Sequence, residues 1–190
     1  MKNFKIEYNV NNGKQIELRT IDLSKELSVV QFGKLGFKKV ADMVLTDSNN
    51  IGLKMMYKDY ISTKEYNEHC HGVYLIVIDG KIVKIGGTET GLAKRWGSYN
   101  NGTDKIRNGA ANGSVTNYYV ATALKAALKT GHSVEWYYKK MNYETRTLNL
   151  YGIEITENVC VDGTYKMHEK TLLEFYKNKS NNYPKLSANS

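Results

Sequence analysis

The chain has 190 residues, 41% hydrophobic and 24% charged, enough to bury one ordinary core with a small appendage and too few for two full domains. Its formal net charge of +8 and pI near 9.2 favour polyanionic partners, either nucleic acid or an acidic membrane face. No stretch approaches the about eighteen apolar residues of a membrane span, and the opening MKNFKIEYNV lacks the apolar core of a secretion signal, so the expectation is a cytoplasmic protein without a membrane partner.

Residues 4–20, FKIEYNVNNGKQIELRT, alternate apolar and polar around Asn11-Asn12-Gly13 and predict a β-hairpin. After Asp22, with Ser24 as a candidate N-cap, KELSVVQFGKLGFKKVADMVL has apolar residues at helical spacing and predicts a helix, weakened by Gly33 and Gly36. Nothing in this segment carries a catalytic pattern. Residues 1–70 are therefore expected to be an N-terminal extension serving dimerisation or DNA gripping, and 71–190 the functional domain.

From Gly72 the pattern predicts strand, turn and strand over 72–86, a short helix near 91–100, a Gly/Asn-rich loop, and a helix near 115–129 closing at Gly131. The strand SVEWYY follows, then the extended ETRTLNLYGIEI and a last helix from Tyr165 to Lys177. Strands and helices mixed around a central hairpin make the expected fold class α+β, a small antiparallel sheet flanked by helices.

The hairpin GVYLIVIDGKIVKIGG carries two polar side chains in an otherwise apolar text, Tyr74 and Lys84. A two-residue Asp79-Gly80 turn places Lys84 opposite Leu75; a three-residue Ile78-Asp79-Gly80 loop with Gly80 in the left-handed region places it opposite Tyr74. The sequence admits both registers. On the next predicted helix Arg95 and Tyr99 are spaced i and i+4, hence on one face. In the last helix Glu169 shares a stripe with Leu172, Leu173 and Tyr176, which turns a carboxylate toward the core, where it needs a partner, a proton or a metal. Singly, each of these residues reads as structural: a core tyrosine, a snorkelling lysine, a surface arginine, a salt-bridged glutamate. Together a phenol, an amine, a guanidinium and a carboxylate are the parts of metal-assisted phosphodiester cleavage.

GVY at 72–74, KIG at 84–86, Arg95 and Tyr99 on the following helix and a late helical Glu169 resemble the GIY-YIG nuclease superfamily over about 72–178. Lys84 stands where the superfamily usually has tyrosine, as in its small type II restriction endonucleases, and SYNNG, RNG and TNYYV extend that likeness. Gly87 occupies a position where that branch has a polar side chain. The resemblance implies a sequence-specific endonuclease in which Glu169 holds one Mg²⁺ or Mn²⁺ ion. Arg95, assisted by Tyr99, would stabilise phosphorane charge, and Tyr74 would accept a proton from water. The three-residue loop is the register that lets Lys84 tune Tyr74. Double-stranded DNA, a homodimer that cuts both strands, and a methyltransferase acting on the same site are the implied partners.

The loop at 100–117 supplies candidate DNA contacts in Lys105, Arg107, Asn108, Asn112 and Asn117. His69, Cys70 and His71, with Cys160 and His168, are the only grouping suggestive of zinc, in no standard spacing; the two cysteines otherwise read as free thiols of a reducing compartment. Two other functions compete with the restriction enzyme. A homing or repair nickase would carry a separate DNA-binding domain, and a non-catalytic nucleic-acid binder would have no need of Tyr74, Arg95 and Glu169 together.

Overall fold

The computed structural model describes residues 3–10, 15–47, 52–107 and 114–187. β1 (Phe4–Val10) and β2 (Gln15–Ile21) form the expected N-terminal hairpin, with Phe4, Ile6 and Ile21 buried in the main core. The long helix expected after it does not form. Instead, 3-10 turns at Leu23–Lys25 and Val29–Leu35, capped by Asp22 and Ser28, end at Gly36 in the left-handed region (φ 82°), and β3 (Lys38–Leu45) and β4 (Leu53–Tyr57) follow. Val40 and Met43 sit three apart, so the stretch looks helical. Pairing of β3 with strands on both sides overrides that spacing and buries Ala41 and Met43 on alternate positions.

The sheet has the order β4-β3-β7-β5-β6, antiparallel throughout, with β5 (Gly72–Ile78), β6 (Lys81–Thr88) and β7 (Val134–Lys140) at its functional end. The first seventy residues thus add two strands to the same sheet. Every residue of β5 is buried, because β5 lies between two strands with a layer on each face. Tyr74, Ile76 and Ile78 point into the core shared with α2 (Gly91–Arg107) and α3 (Val115–Lys129); Leu75 and Val77 point the other way, toward α4 (Tyr165–Ser180). α1 (Thr63–Asn67) is one short turn, and β8 (Tyr143–Leu150) with β9 (Ile153–Cys160) forms a separate hairpin. Among the described residues no helix is long and apolar enough to cross a membrane.

The β5–β6 turn corrects the register expectation. Ile78 pairs with Lys81 across a two-residue turn in which Asp79 (φ 47°) and Gly80 (φ 75°) are both left-handed, the type I′ geometry that matches strand twist. Asp79 tolerates that backbone because its carboxylate accepts from Ser133 N (2.9 Å) and Ser133 Oγ (3.1 Å) and meets His132 Nδ1 (2.6 Å). The extra residue lies not in the loop but in the strand: a bulge at Val83 sets Val77 against Ile82 and Ile76 against Lys84. Tyr74 therefore faces Gly86, not Lys84.

The outer edge of β6 is closed by segments far apart in the chain. Ile82 N donates to Leu27 O and Val29 N to Gly80 O, both at 2.9 Å; Leu186 N donates to Val83 O at 2.8 Å, and Ser187 Oγ bonds both Ile85 N and Ile85 O. Glu26 joins these segments. Only 8% exposed, it accepts from the Tyr176 hydroxyl (2.5 Å) and from Lys185 N (3.4 Å), and Tyr176 in turn accepts from Leu27 N (2.9 Å).

Burial pushes the Glu26 carboxyl above its ordinary range, against the Tyr176 and Lys185 hydrogen bonds. Raised in the fold relative to the unfolded chain, this group lowers stability as pH rises from the ordinary carboxylate value through its folded value. Glu26→Gln keeps both acceptor contacts without the charge. Thermal melts should show it more stable than wild type at pH 8, with the gain gone at pH 4; a gain of equal size at both would place its origin elsewhere.

Candidate active site

Tyr74 enters the core from the centre of β5, and its ring lies flat on Trp136 of β7 (5.1 Å between centroids, 16° between planes). The ring extends across β6, which only a glycine permits: a Cβ at Gly86 would stand 2.3 Å from both Tyr74 Cζ and the hydroxyl. The glycine of KIG is therefore the space into which the tyrosine of GVY fits.

Leu92 and Trp96 bury the inner face of α2, and this anchoring brings Arg95 and Tyr99 over Tyr74. The Tyr74 and Tyr99 hydroxyls are 2.8 Å apart; Arg95 Nε donates to Tyr74 (2.9 Å), Nη2 to Tyr99 (3.2 Å), and Nη1 makes a longer contact with Ser98 Oγ (3.4 Å). The guanidinium also lies over both rings, 5.5 Å and 4.7 Å from their centroids. Burial, then the neighbouring Tyr99, pushes the Tyr74 phenol well above its ordinary value, opposed by Arg95. Burial also works against the Arg95 charge, but the two phenols outweigh it and keep the guanidinium protonated.

Lys84, 5% exposed, sits across from this triad, with its ammonium donating to Leu186 O at 3.2 Å. Burial, then the nearby Arg95, lowers it to about 8, and Glu169 pulls the other way. Lys84 acts on Arg95 and Glu169; the cation bonded to Tyr74 is Arg95. The expected coupling of Lys84 to the phenol is replaced by a direct guanidinium hydrogen bond.

Glu169, on the inner stripe of α4, completes the group. Burial raises its carboxyl, while Lys84, Arg95 and the Gly87 N–H lower it. A Cβ at Gly87 would stand 2.3 Å from Tyr165 Cδ2 and 2.9 Å from Glu169 Oε2. The position lacks a polar side chain because the Tyr165 ring occupies its space, and the backbone contributes its N–H instead. Glu169 also borders a surface cavity of about 290 Å³ lined by Lys166, Lys170, Leu173, Glu174, Tyr183 and Ser187, which connects it to solvent.

A half-buried carboxylate held by one backbone N–H, with no ion pair among the described residues, suits a hard divalent cation. The described residues contain no group of three or more His, Cys, Asp or Glu that could hold a metal, so Glu169 would be its protein anchor. The zinc grouping does not assemble: the Cys70 thiol contacts Tyr138 (3.4 Å), Cys160 bonds Gly163 O (3.0 Å), and His168 bonds Asp162 O (2.7 Å). His71 wedges its ring between Tyr143 and Tyr165, with Nδ1 buried and unpartnered.

Tyr74, Lys84, Arg95, Tyr99 and Glu169, drawn from two strands and two helices, thus meet at one place. The candidate DNA contacts fare differently. Lys105 and Arg107 lie in the last turns of α2, which continues past residue 100 where a loop was expected, and their side chains fall outside the described residues, as do Asn108 and Asn112 entirely. Asn117 is buried and its Nδ2 donates to Ser98 O (3.1 Å). It ties α3 to α2 and presents no edge to a base, a correction to its expected role. Two residues of the site carry no sequence signal: Trp136, the floor beneath Tyr74, and Leu186, the acceptor for Lys84, belong to no motif.

No family model matches the chain, and no curated protein does. Among solved structures it is similar to restriction endonuclease HPY188I in complex with product DNA, at 30% identity and a TM-score of 0.53, over 86% of this chain and 87% of that one. The fold is also that of bacteriophage T4 EndoII, solved as a point mutant, at 18% identity and a TM-score of 0.52, over 78% of this chain and 93% of that one.

Gly86→Ala tests the packing beneath the site. The added methyl meets the Tyr74 ring on a fully packed strand, so circular dichroism melts should show a loss of about 1–3 kcal/mol or more, and the Tyr74 fluorescence environment should change. Unchanged stability would mean that the ring is not seated against this glycine.

Proposed function

The chain belongs to the family of the restriction endonuclease HPY188I, and from that premise we propose that it is a metal-dependent, sequence-specific endonuclease of the type II class built on a GIY-YIG-like site. The observation that carries the reading is the convergence of Arg95, Lys84 and Glu169 around the paired Tyr74 and Tyr99 hydroxyls. Two cations against one carboxylate leave the centre positive, as an anionic phosphodiester requires.

Glu169 would hold Mg²⁺ or Mn²⁺, which when bound supplies Lewis-acid neutralisation of charge on the phosphate. Tyr74 would accept the proton of the attacking water as the phenolate, after its own proton has passed to bulk solvent; burial opposes that ionisation, and Arg95 Nε and the Tyr99 hydroxyl, both in place to donate to the phenolate oxygen, favour it. The Nη1 edge of Arg95, whose contact to Ser98 is its longest, would be the edge that stabilises charge on the phosphorane oxygens. Lys84, with its value near 8, is mostly charged at neutral pH and serves as a phosphate contact. Lys105, Arg107, Asn108 and Asn112 are assigned to the DNA-reading region. A homodimer supplies one centre per strand, and a methyltransferase of the same specificity protects the host's own sites. Cytoplasmic residence fits the two free thiols.

Plasmid DNA with Mg²⁺ tests the whole reading: discrete fragments support it, nicked circles alone point to a nickase, and intact plasmid with Mg²⁺ or Mn²⁺ overturns it. Glu169→Gln should abolish cleavage while gel-shift binding persists, since phosphate contacts come from other residues; retained Mg²⁺-dependent cleavage would move the metal to another carboxylate, with Glu174 next. Arg95→Ala should lower the single-turnover rate by about 10²–10³, and an unchanged rate with weakened binding would make it a positioning contact.

A further inference from the structure

β8 and β9 form a hairpin whose partners are each other. Leu150 pairs with Ile153 around a tight Tyr151-Gly152 turn (φ 55° and 80°), Leu148 with Ile155, Thr147 with Thr156, and Asn149 with Glu154. Opposed residues share a face and faces alternate. One face near the tip is therefore Leu148, Leu150, Ile153 and Ile155, and the other is threonine, asparagine and glutamate. Both faces of the ribbon are exposed, the apolar one included: these four side chains are 37%, 47%, 65% and 41% exposed, and Tyr151 at the tip is fully exposed. A two-stranded ribbon is marginal on its own, and a contiguous apolar patch of a few hundred Å² marks an interaction surface.

The charge on the hairpin narrows the occupant. Residues 143–160 carry Glu144, Glu154 and Glu157 against Arg146 alone, whereas the whole chain is at +8. An acidic ribbon is repelled by DNA and attracted to the basic remainder of this same chain.

We propose that the apolar face of the β8–β9 hairpin is the dimerisation arm of this protein, laid against the body of a second copy. Choosing a second copy rests on the homodimer in the nuclease reading; the surface itself does not. The arm also has a route to the catalytic centre. At its root the Tyr143 hydroxyl accepts from His71 N (2.6 Å), one residue before β5 begins, and Asn142 N donates to the Asp162 carboxylate (2.8 Å), just before α4 begins. Docking the arm therefore steadies the starts of the strand that bears Tyr74 and the helix that bears Glu169.

Sedimentation of the full chain tests this. Wild type should be a dimer at micromolar concentration, and Leu150→Ser with Ile153→Ser should shift it at least tenfold toward monomer. Thr147→Ser, on the opposite face, should leave the dimer intact. A monomeric wild type overturns the proposal, as does a double variant that remains dimeric. Hydrogen exchange on the unmodified protein gives a measurement free of folding effects: β8–β9 amides should gain protection as concentration rises, and concentration-independent exchange there overturns the arm. Plasmid cleavage by the same wild-type sample reports separately, since a dimer through this arm that does not cleave DNA would sink the nuclease reading and leave the arm standing.

Discussion

The arrangement turns on one desolvated charge, the guanidinium of Arg95. Among the described residues it is buried without a carboxylate in hydrogen-bonding contact, and two phenol oxygens and two ring faces stand in for the missing anion. Neutral acceptors and rings compensate a buried cation only in part, so the site retains a demand for negative charge that Glu169, acting through space, does not fully meet. Much of the local structure serves this one group. Trp136 supports the first phenol, Gly86 makes room for it, and Leu92 and Trp96 hold α2 so that the second phenol and the guanidinium reach it together. An anion entering such a site gains twice, by pairing with the cation and by relieving the cost of its burial.

Much of this was legible in the text of the chain, because the strongest signals were local. The strand pair β1–β2, the Asp-Gly turn, the i, i+4 spacing of Arg95 and Tyr99, and the apolar stripe of the last helix are each set within a few residues, and each appears in the structure. The failures were non-local. Residues 25–45 carry an apolar spacing compatible with a helix, and it takes pairing with β4 on one side and with β7, some hundred residues downstream, on the other to make β3 a strand. The register of the central hairpin failed for a related reason. Asp79 and Gly80 form the turn that their residue types favour, but the extra residue resides at Val83, where the backbone is bonded to Leu186 on a segment that shows no pattern of its own. The aromatic floor, Trp136, lies in a strand that reads as ordinary core.

The two faces of the sheet divide the work. The α2–α3 face, rich in aromatic rings, fixes the phenol pair and the guanidinium. The α4 face delivers the carboxylate and opens to solvent beside Lys166 and Lys170. Lys84 joins the two, since its strand borders both cores and its ammonium lies within the influence of Arg95 and Glu169. A bulge at Val83 is what permits this: it shifts the second half of β6 by one residue relative to the first, so that an amine occupies a position the unbroken alternation would have assigned differently.

The closure of the β6 edge bears on how the site is set. The carbonyl that receives the Lys84 ammonium belongs to Leu186, 102 residues later in the chain, and the same strand edge is bonded to Leu27 and Val29 from the opposite direction. The lysine therefore gains its acceptor only when a segment remote in sequence has docked against the strand edge. The geometry of the site is thus set by a contact of high sequence separation as much as by the motifs that name its residues.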